Sequence, residues 1–372
     1  MMRWITLILL CTLVACDRSQ PDTAQPISIS VSQRLGSAVD PAFERALKPR
    51  PFNFPEDHGA HPEFANEWWY FTGNLWTDEG ARFGYQLTLF RVALKPGEPL
   101  DDSAWRSQQL YMGHLAISNI TEQQHLGAER FSRAAAGLAG AQSTPLHIWI
   151  GPWSIKSVNE HLFPLRLSAE AAEIAIDLTL SGDATAMVLQ GDEGLSKKGA
   201  AAGNASYYYS YTRLPTSGRI RWQDQTIQVN GNSWFDREWS SSALSDDQSG
   251  WDWFALQLDD GRDLMFYRMR DKQGQAQRFS QGVLIDQDGR VQPLSLQNTR
   301  LDPIEYWRSS DAVSYPTKWR LQIPGQQIDL QVTAAFNEQE MRLSVYYWEG
   351  AVTVTGSHSG VGYLELSGYA DS

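Results

Sequence analysis

The stretch Asp57-His58-Gly59-Ala60-His61-Pro62-Glu63-Phe64-Ala65-Asn66-Glu67-Trp68-Trp69-Tyr70-Phe71-Thr72-Gly73 decides how this chain is read. It holds three acids, two histidines and five aromatics. It runs into Gly84-Tyr85-Gln86-Leu87-Thr88-Leu89-Phe90-Arg91, which alternates as a half-buried strand does. A looser version recurs as Gly250-Trp251-Asp252-Trp253-Phe254-Ala255-Leu256, followed by Leu264-Met265-Phe266-Tyr267-Arg268-Met269-Arg270. In both, a Trp-rich strand, a turn (Thr77-Asp78-Glu79-Gly80, then Asp259-Asp260-Gly261) and a strand closing on Arg follow one another. The expectation is one architecture used twice.

Outward from these hairpins, short runs of β-forming residues alternate with Gly, Pro, Asp and Asn turns. Ile174-Ala175-Ile176-Asp177-Leu178-Thr179-Leu180 alternates cleanly, placing its branched residues on one face. Ser132 to Gly140 is Ala-rich and reads as a helical piece, and Asp40 to Ala46 as a short helix. No long amphipathic helix is indicated. The fold class is therefore all-β, with many antiparallel strands closing or nearly closing into barrels. A Gly- and Lys-rich loop before Tyr207-Tyr208-Tyr209-Ser210-Tyr211 suggests the domain boundary. The expected organisation is a signal peptide over residues 1–15, a polar tether over 16–50, a first domain over 51–205 and a second over 206–372.

The chain has 372 residues, enough for two cores. Fifteen Trp and fourteen Tyr suit wide β cores or an aromatic-lined cavity. A net charge of −12 argues against a nucleic-acid surface. Both cysteines, Cys11 and Cys16, lie at the start. Met1-Met2-Arg3 followed by an apolar run from Trp4 to Val14 fits a signal peptide and is too short for a permanent span. Leu13-Val14-Ala15-Cys16 resembles the bacterial lipobox, so Cys16 is the expected lipidation site. The mature chain is then expected in the cell envelope, lipid-anchored and facing the periplasm. Asp17 leans weakly toward the inner membrane.

Several of these segments resemble the AttH family. They are Asp57 to Pro62, Glu67 to Leu75, Phe83 to Arg91 and Tyr111-Met112-Gly113-His114-Leu115-Ala116-Ile117-Ser118. Trp234-Phe235-Asp236-Arg237-Glu238-Trp239-Ser240, Tyr347-Trp348-Glu349-Gly350-Ala351-Val352 and Gly362 to Tyr369 complete the match in order. The resemblance implies two lipocalin-like antiparallel β-barrel domains packed together. It also implies kinship with carotenoid 1,2-hydratases and, more remotely, with cofactor-free pericyclases. Bacterial members are often exported lipoproteins encoded beside an ABC-transporter permease, and some carry the description of a secreted hydrolase.

Two functions stay open. The first is a module binding an apolar or amphipathic molecule or lipid, accessory to an ABC-transporter partner. The second is a cofactor-free hydratase or isomerase acting on an isoprenoid or lipid-like substrate. Hydration of an alkene needs an acid that protonates carbon, a surface tolerant of a carbocation and a placed water. A carboxyl kept protonated by a dry pocket and Trp or Tyr faces provide the first two. Asp236 and Glu238, two apart on a strand, share a face. They are candidate acids with Asp252 and Tyr267. The alternative is that these acids pair with Arg91, Arg237, Arg268 and Arg270 as buried ion pairs. The hydratase relatives use an Asp near Trp and Tyr, but Arg268 and Met269 stand beside Tyr267 here. Glu67, Trp68, Trp69, Tyr85, His114, Trp251 and Trp253 are the expected ligand-lining residues. Glu67 is also a natural ion-pair partner of Arg91, and His114 a satisfied core histidine. His58 and His61 are expected to plug the barrel mouth by bonding backbone rather than to hold a metal. No metal or cofactor motif is seen, and no serine-nucleophile elbow.

Overall fold

The computed structural model describes residues 40–96, 107–242 and 244–370. The expected signal peptide, Cys16 and most of the tether lie outside these residues. Within them the fold is all-β: twenty-three strands and two short 3-10 turns, Glu56–His58 and Pro324–Gln326. No helix among the described residues is long and apolar enough to cross a membrane.

The first sheet is built from β1 (Asn66–Trp76), β2 (Arg82–Ala93), β3 (Gln109–Asn119), β4 (Gln124–Arg133), β5 (Ala139–Ser143), β6 (Leu146–Ile150), β7 (Trp153–Ser157), β8 (Leu165–Glu170), β9 (Ile174–Leu180), β10 (Val188–Leu189), β11 (Leu195–Lys197), β12 (Ala205–Trp222) and β13 (Gln225–Ser240). The second takes β14 (Gln248–Leu258), β15 (Asp263–Asp271), β16 (Gln281–Ile285), β17 (Val291–Ser295), β18 (Arg300–Arg308), β19 (Ser314–Ile323), β20 (Ile328–Ala334), β21 (Glu340–Arg342), β22 (Tyr346–Gly356) and β23 (Gly360–Leu366). The first sheet runs β4-β3-β2-β1-β13-β12-β9-β8-β7-β6-β5, and the second β17-β16-β15-β14-β23-β22-β20-β19-β18. Both are antiparallel and curl into nearly closed, barrel-like domains.

Three sequence expectations need correction. Ser132 to Gly140 is not helical; it ends β4, turns at positive-φ Ala136 and Gly137, and enters β5. Asp40 to Ala46 forms turns and bends rather than a helix. The expected boundary at residue 205/206 does not divide the sheets. β12 and β13 form a long hairpin whose partners are β9 and β1, so the first sheet extends to Ser240. Tyr207 to Tyr211 therefore starts the closing hairpin of the first sheet.

Strand alternation gives each sheet two apolar faces. On β1, Trp69 and Phe71 pack inside the first barrel with Tyr85, Leu87 and Leu89. On β14, Phe254 and Leu256 pack inside the second with Trp319 and Trp348. The residues between them point the other way. Tyr70, Tyr208, Trp234, Trp253, Met265 and Tyr363 form a third core where the sheets meet back to back. Gly84 sits in this seam, and a Cβ there would lie 2.8 Å from the Tyr363 hydroxyl and 2.9 Å from Ala351 Cβ.

The two Trp-rich hairpins match in design. Glu67 lies opposite Arg91 across β1–β2, and Asp252 lies opposite Arg268 across β14–β15. Glu67 is fully buried and binds both Arg91 and Arg237. Burial opposes its charge, but the two guanidiniums outweigh that and hold its carboxyl well below the usual range. Asp252 is equally buried; it accepts from Arg268 at 2.9 Å, from Arg270 and from the Tyr369 hydroxyl at 2.8 Å.

Glu67→Ala leaves two buried guanidiniums facing an empty site. It is expected to cost about 3–5 kcal/mol of stability in urea unfolding. Glu305→Ala, which removes an exposed partner of Lys318, is expected to cost less than about 1 kcal/mol. In the seam, Gly84→Val is expected to lower the midpoint more than Gly80→Val, because Gly80 has no neighbour in the way despite its positive φ.

Candidate active site between the sheets

The seam is not sealed along its whole length. A cavity of about 110 Å³ opens between the sheets, outside both barrels. Its first-sheet wall carries Trp68 and Tyr70 from β1, Thr88 and Phe90 from β2, and Ser206 and Tyr208 from β12. Asp236, Glu238 and Ser240 project from β13. The second-sheet wall carries Trp251 and Trp253 from β14, Tyr267 and Met269 from β15, Tyr347 from β22 and Glu365 from β23. Lys198 and Leu244 complete it from the connecting segments.

Register explains the gathering. Trp68 lies opposite Glu238, and Tyr70 opposite Asp236, across β1–β13. Tyr208 lies opposite Glu238, and Ser210 opposite Asp236, across β12–β13. On the other sheet Trp253 is flanked by Tyr267 and Glu365. Each pair shares a face because directly opposed residues do.

Asp236 is only 3% exposed. Its Oδ2 accepts the Tyr208 hydroxyl at 2.6 Å, and its Oδ1 accepts Ser210 Oγ at 2.6 Å and Trp234 Nε1 at 2.7 Å. Burial pushes its pKa up to about 7; the three donors restrain the rise, and Glu238 adds to it. Glu365 Oε1 accepts Trp251 Nε1 at 2.9 Å. Burial pushes Glu365 up to about 8, with Glu238 and Asp236 adding repulsion. It is half-buried by surface area, its exposed part lying on the cavity wall. Glu238 pairs with Lys198 at 3.2 Å. Burial works against the charge of Lys198, yet Glu238 and Tyr267 raise its pKa overall. The lysine ammonium also lies 4.1 Å from the Tyr267 ring centroid. The cavity thus holds three carboxyls and one ammonium, and two of the carboxyls bind their protons unusually tightly.

The structure brings together Asp236, Glu238, Tyr267, Trp68, Trp251 and Trp253. It separates the others. Asp252 faces the second barrel, locked to its arginines, because Trp251 and Trp253 take the opposite face. Glu67 is away from the cavity in the ion pair described above. Trp69 is inside the first barrel, with Arg237 4.1 Å from its ring. Tyr85 is there too, its hydroxyl 2.6 Å from Ser233 Oγ. Adjacent strand residues cannot share a face, which is why Trp68 and Trp69 part company. His114 lies behind the wall, its Nδ1 2.8 Å from the hydroxyl of Tyr347. Burial lowers its pKa to about 3. The histidine rings at the barrel mouth bond side chains rather than backbone: His58 meets Tyr209 at 2.6 Å, and His61 meets Asp57 at 3.0 Å and Glu67 at 3.2 Å. No group of three potential metal-ligating side chains occurs among the described residues.

Sequence reasoning missed Glu365, Lys198 and Glu349. The signal was present at Glu365: Leu364 and Leu366 flank it, so a lone acid sits on an otherwise apolar strand. Glu349 lies directly opposite it on β22.

The AttH-like family model matches residues 45–369. The crystal structure of an AttH from Nitrosomonas europaea shares 33% identity, covers 88% of this chain and 100% of its own, and superposes with a TM-score of 0.78. Kievitone hydratase from Nectria haematococca shares 16% identity, with coverage of 89% and 99% and a TM-score of 0.64, a likeness of fold. No curated protein matches the chain.

Glu365 binds its proton more tightly in the folded chain than at its ordinary value of 4.5. Folding stability is therefore favoured at low pH and is lost as pH rises from about 4.5 to about 8. Glu365→Gln, which mimics the protonated acid, is expected to melt above the wild type at pH 9. The two are expected to converge at pH 5 in parallel thermal scans.

Proposed function

The chain belongs to the AttH-like family, and on that footing we propose that it is a cofactor-independent hydratase adding water to an alkene of an isoprenoid or lipid-like molecule. The observation that carries the reading is the pairing of two buried carboxyls of unequal acidity in an aromatic-walled cavity. Asp236 accepts three donors, which stabilise its ionised form, while Glu365 accepts one from Trp251. With three donors on Asp236 and one on Glu365, Asp236 is the readier of the two to ionise and Glu365 the readier to keep its proton. Two carboxyls set apart in this way serve as base and acid at the same pH.

In this reading Glu365 gives its proton to one alkene carbon. The positive charge that develops on the other carbon lies among the rings of Trp68, Phe90 and Trp253, whose π-faces attract cations. Asp236 removes a proton from the water that attacks this carbon. The net change is one alkene plus one water to one alcohol. Lys198 neutralises Glu238 and keeps it from adding a full negative charge beside the acid. A binding role alone, such as that of a transporter accessory, leaves the protonated acids without a use. Anchoring through Cys16 suits a substrate supplied from a membrane.

The test uses the full chain in detergent and a panel of isoprenoid alkenes in heavy-oxygen water, read by mass spectrometry. Label is expected in a product alcohol. Glu365→Gln and Asp236→Asn are each expected to lower its rate by about 100-fold or more. The rate is expected to fall on both sides of the window between pH 7 and 8. Recovery of every alkene unlabelled, with apolar molecules merely bound, would return the protein to a carrier role.

A further inference from the structure

We propose that Glu349 and Tyr70 form a proton-return device for the acid Glu365, an inference that rests on the hydratase reading. Glu349 is 0% exposed and does not line the cavity. Its Oε1 accepts the Tyr70 hydroxyl at 2.7 Å, and its Oε2 has no partner. Across β22–β23 it stands directly opposite Glu365. Across β1–β13, Tyr70 stands directly opposite Asp236 and lines the cavity. Tyr70 and Glu349 thus stand between Asp236 on one sheet and Glu365 on the other, and one hydrogen bond joins them across the seam.

Two carboxylates facing each other on adjacent strands repel, and Glu349 contacts no cation. An ionised Glu349 with a bare, buried Oε2 is very costly. A protonated Glu349 places a hydrogen on that orphan oxygen. Burial, then the charge of Glu365, holds the proton there well above the ordinary carboxyl range.

The proposed step closes the catalytic cycle. After hydration Glu365 is a carboxylate and Asp236 carries the proton taken from water. Glu349 passes its Oε2 proton to Glu365. The Tyr70 hydroxyl proton shifts to Glu349 Oε1, and Tyr70 takes up a proton from the cavity water that Asp236 releases. Glu349 then carries its proton on Oε1, a turn of its carboxyl brings the protonated oxygen back toward Glu365, and no proton is gained or lost. Glu349 touches no substrate and is a positioning residue; Tyr70 is the link to the cavity.

Two measurements test the device. Infrared titration of the wild type is expected to show one carboxyl band that outlasts those of Asp236 and Glu365 as pH rises. Glu349→Gln is expected to abolish that band. In heavy-oxygen water, Glu349→Gln is expected to keep the single-turnover rate within about twofold while steady-state kcat falls tenfold or more. A band absent from the wild type, or unchanged kcat in a folded variant, overturns the proposal. A wild type that labels no alkene instead overturns the hydratase reading, and the relay with it, whatever the infrared result.

Discussion

Every feature of the site depends on one constraint: neighbouring strand residues face opposite ways. Tyr70 and Phe71 are adjacent in the chain but belong to different cores. Trp253 and Phe254 do the same on the second sheet. Each strand of the two Trp-rich hairpins therefore serves a barrel with one set of residues and the seam with the other. Apolar burial on both faces makes such strands nearly continuous hydrophobic runs, and a polar group on either face stands out. The seam forms because both sheets present an apolar outer face and water is excluded when they meet.

The same alternation distributes the charges. Acids facing barrel interiors meet arginines: Glu67 has Arg91 and Arg237, and Asp252 has Arg268 and Arg270. Of the acids facing the seam, Asp263 meets Arg213, and those around the cavity are less well served. Glu238 has Lys198, whereas Asp236 is bound by neutral donors, Glu365 by an indole and Glu349 by a phenol. The arginine pairs fasten the two hairpins. Where no cation stands by, burial raises the pKa of Asp236, Glu365 and Glu349. The proposed chemistry sits where guanidinium groups are absent, more than where carboxyls are present.

Much of this was legible in the sequence. Turn residues and alternating runs gave an all-β chain, the hairpin repeat is real, and Asp236 and Glu238 were placed on one face by their spacing. Trp68, Trp251 and Trp253, expected as ligand-lining residues, stand on the cavity wall. Position relative to the barrels was not legible, because periodicity says that two residues face apart without saying which side is the interior. Hence Trp69, Tyr85 and Asp252 were grouped with residues that face away from them. The boundary was misplaced for a related reason. The tyrosine run at residues 207–211 looks like a fresh start, while its true role is to close a sheet begun some 140 residues earlier, and long-range pairing of that kind leaves no local mark. Glu349 and Glu365 became interpretable only once register set them opposite each other.

The cavity is assembled from both ends of the chain. Its walls begin at Trp68 and finish at Glu365, with Asp236 on one sheet and Glu365 on the other. Neither barrel, inherited or expressed alone, carries more than one side of the cavity. The two sheets are thus bound into a single unit of descent: either can drift on its far side, but their abutting faces must change in concert.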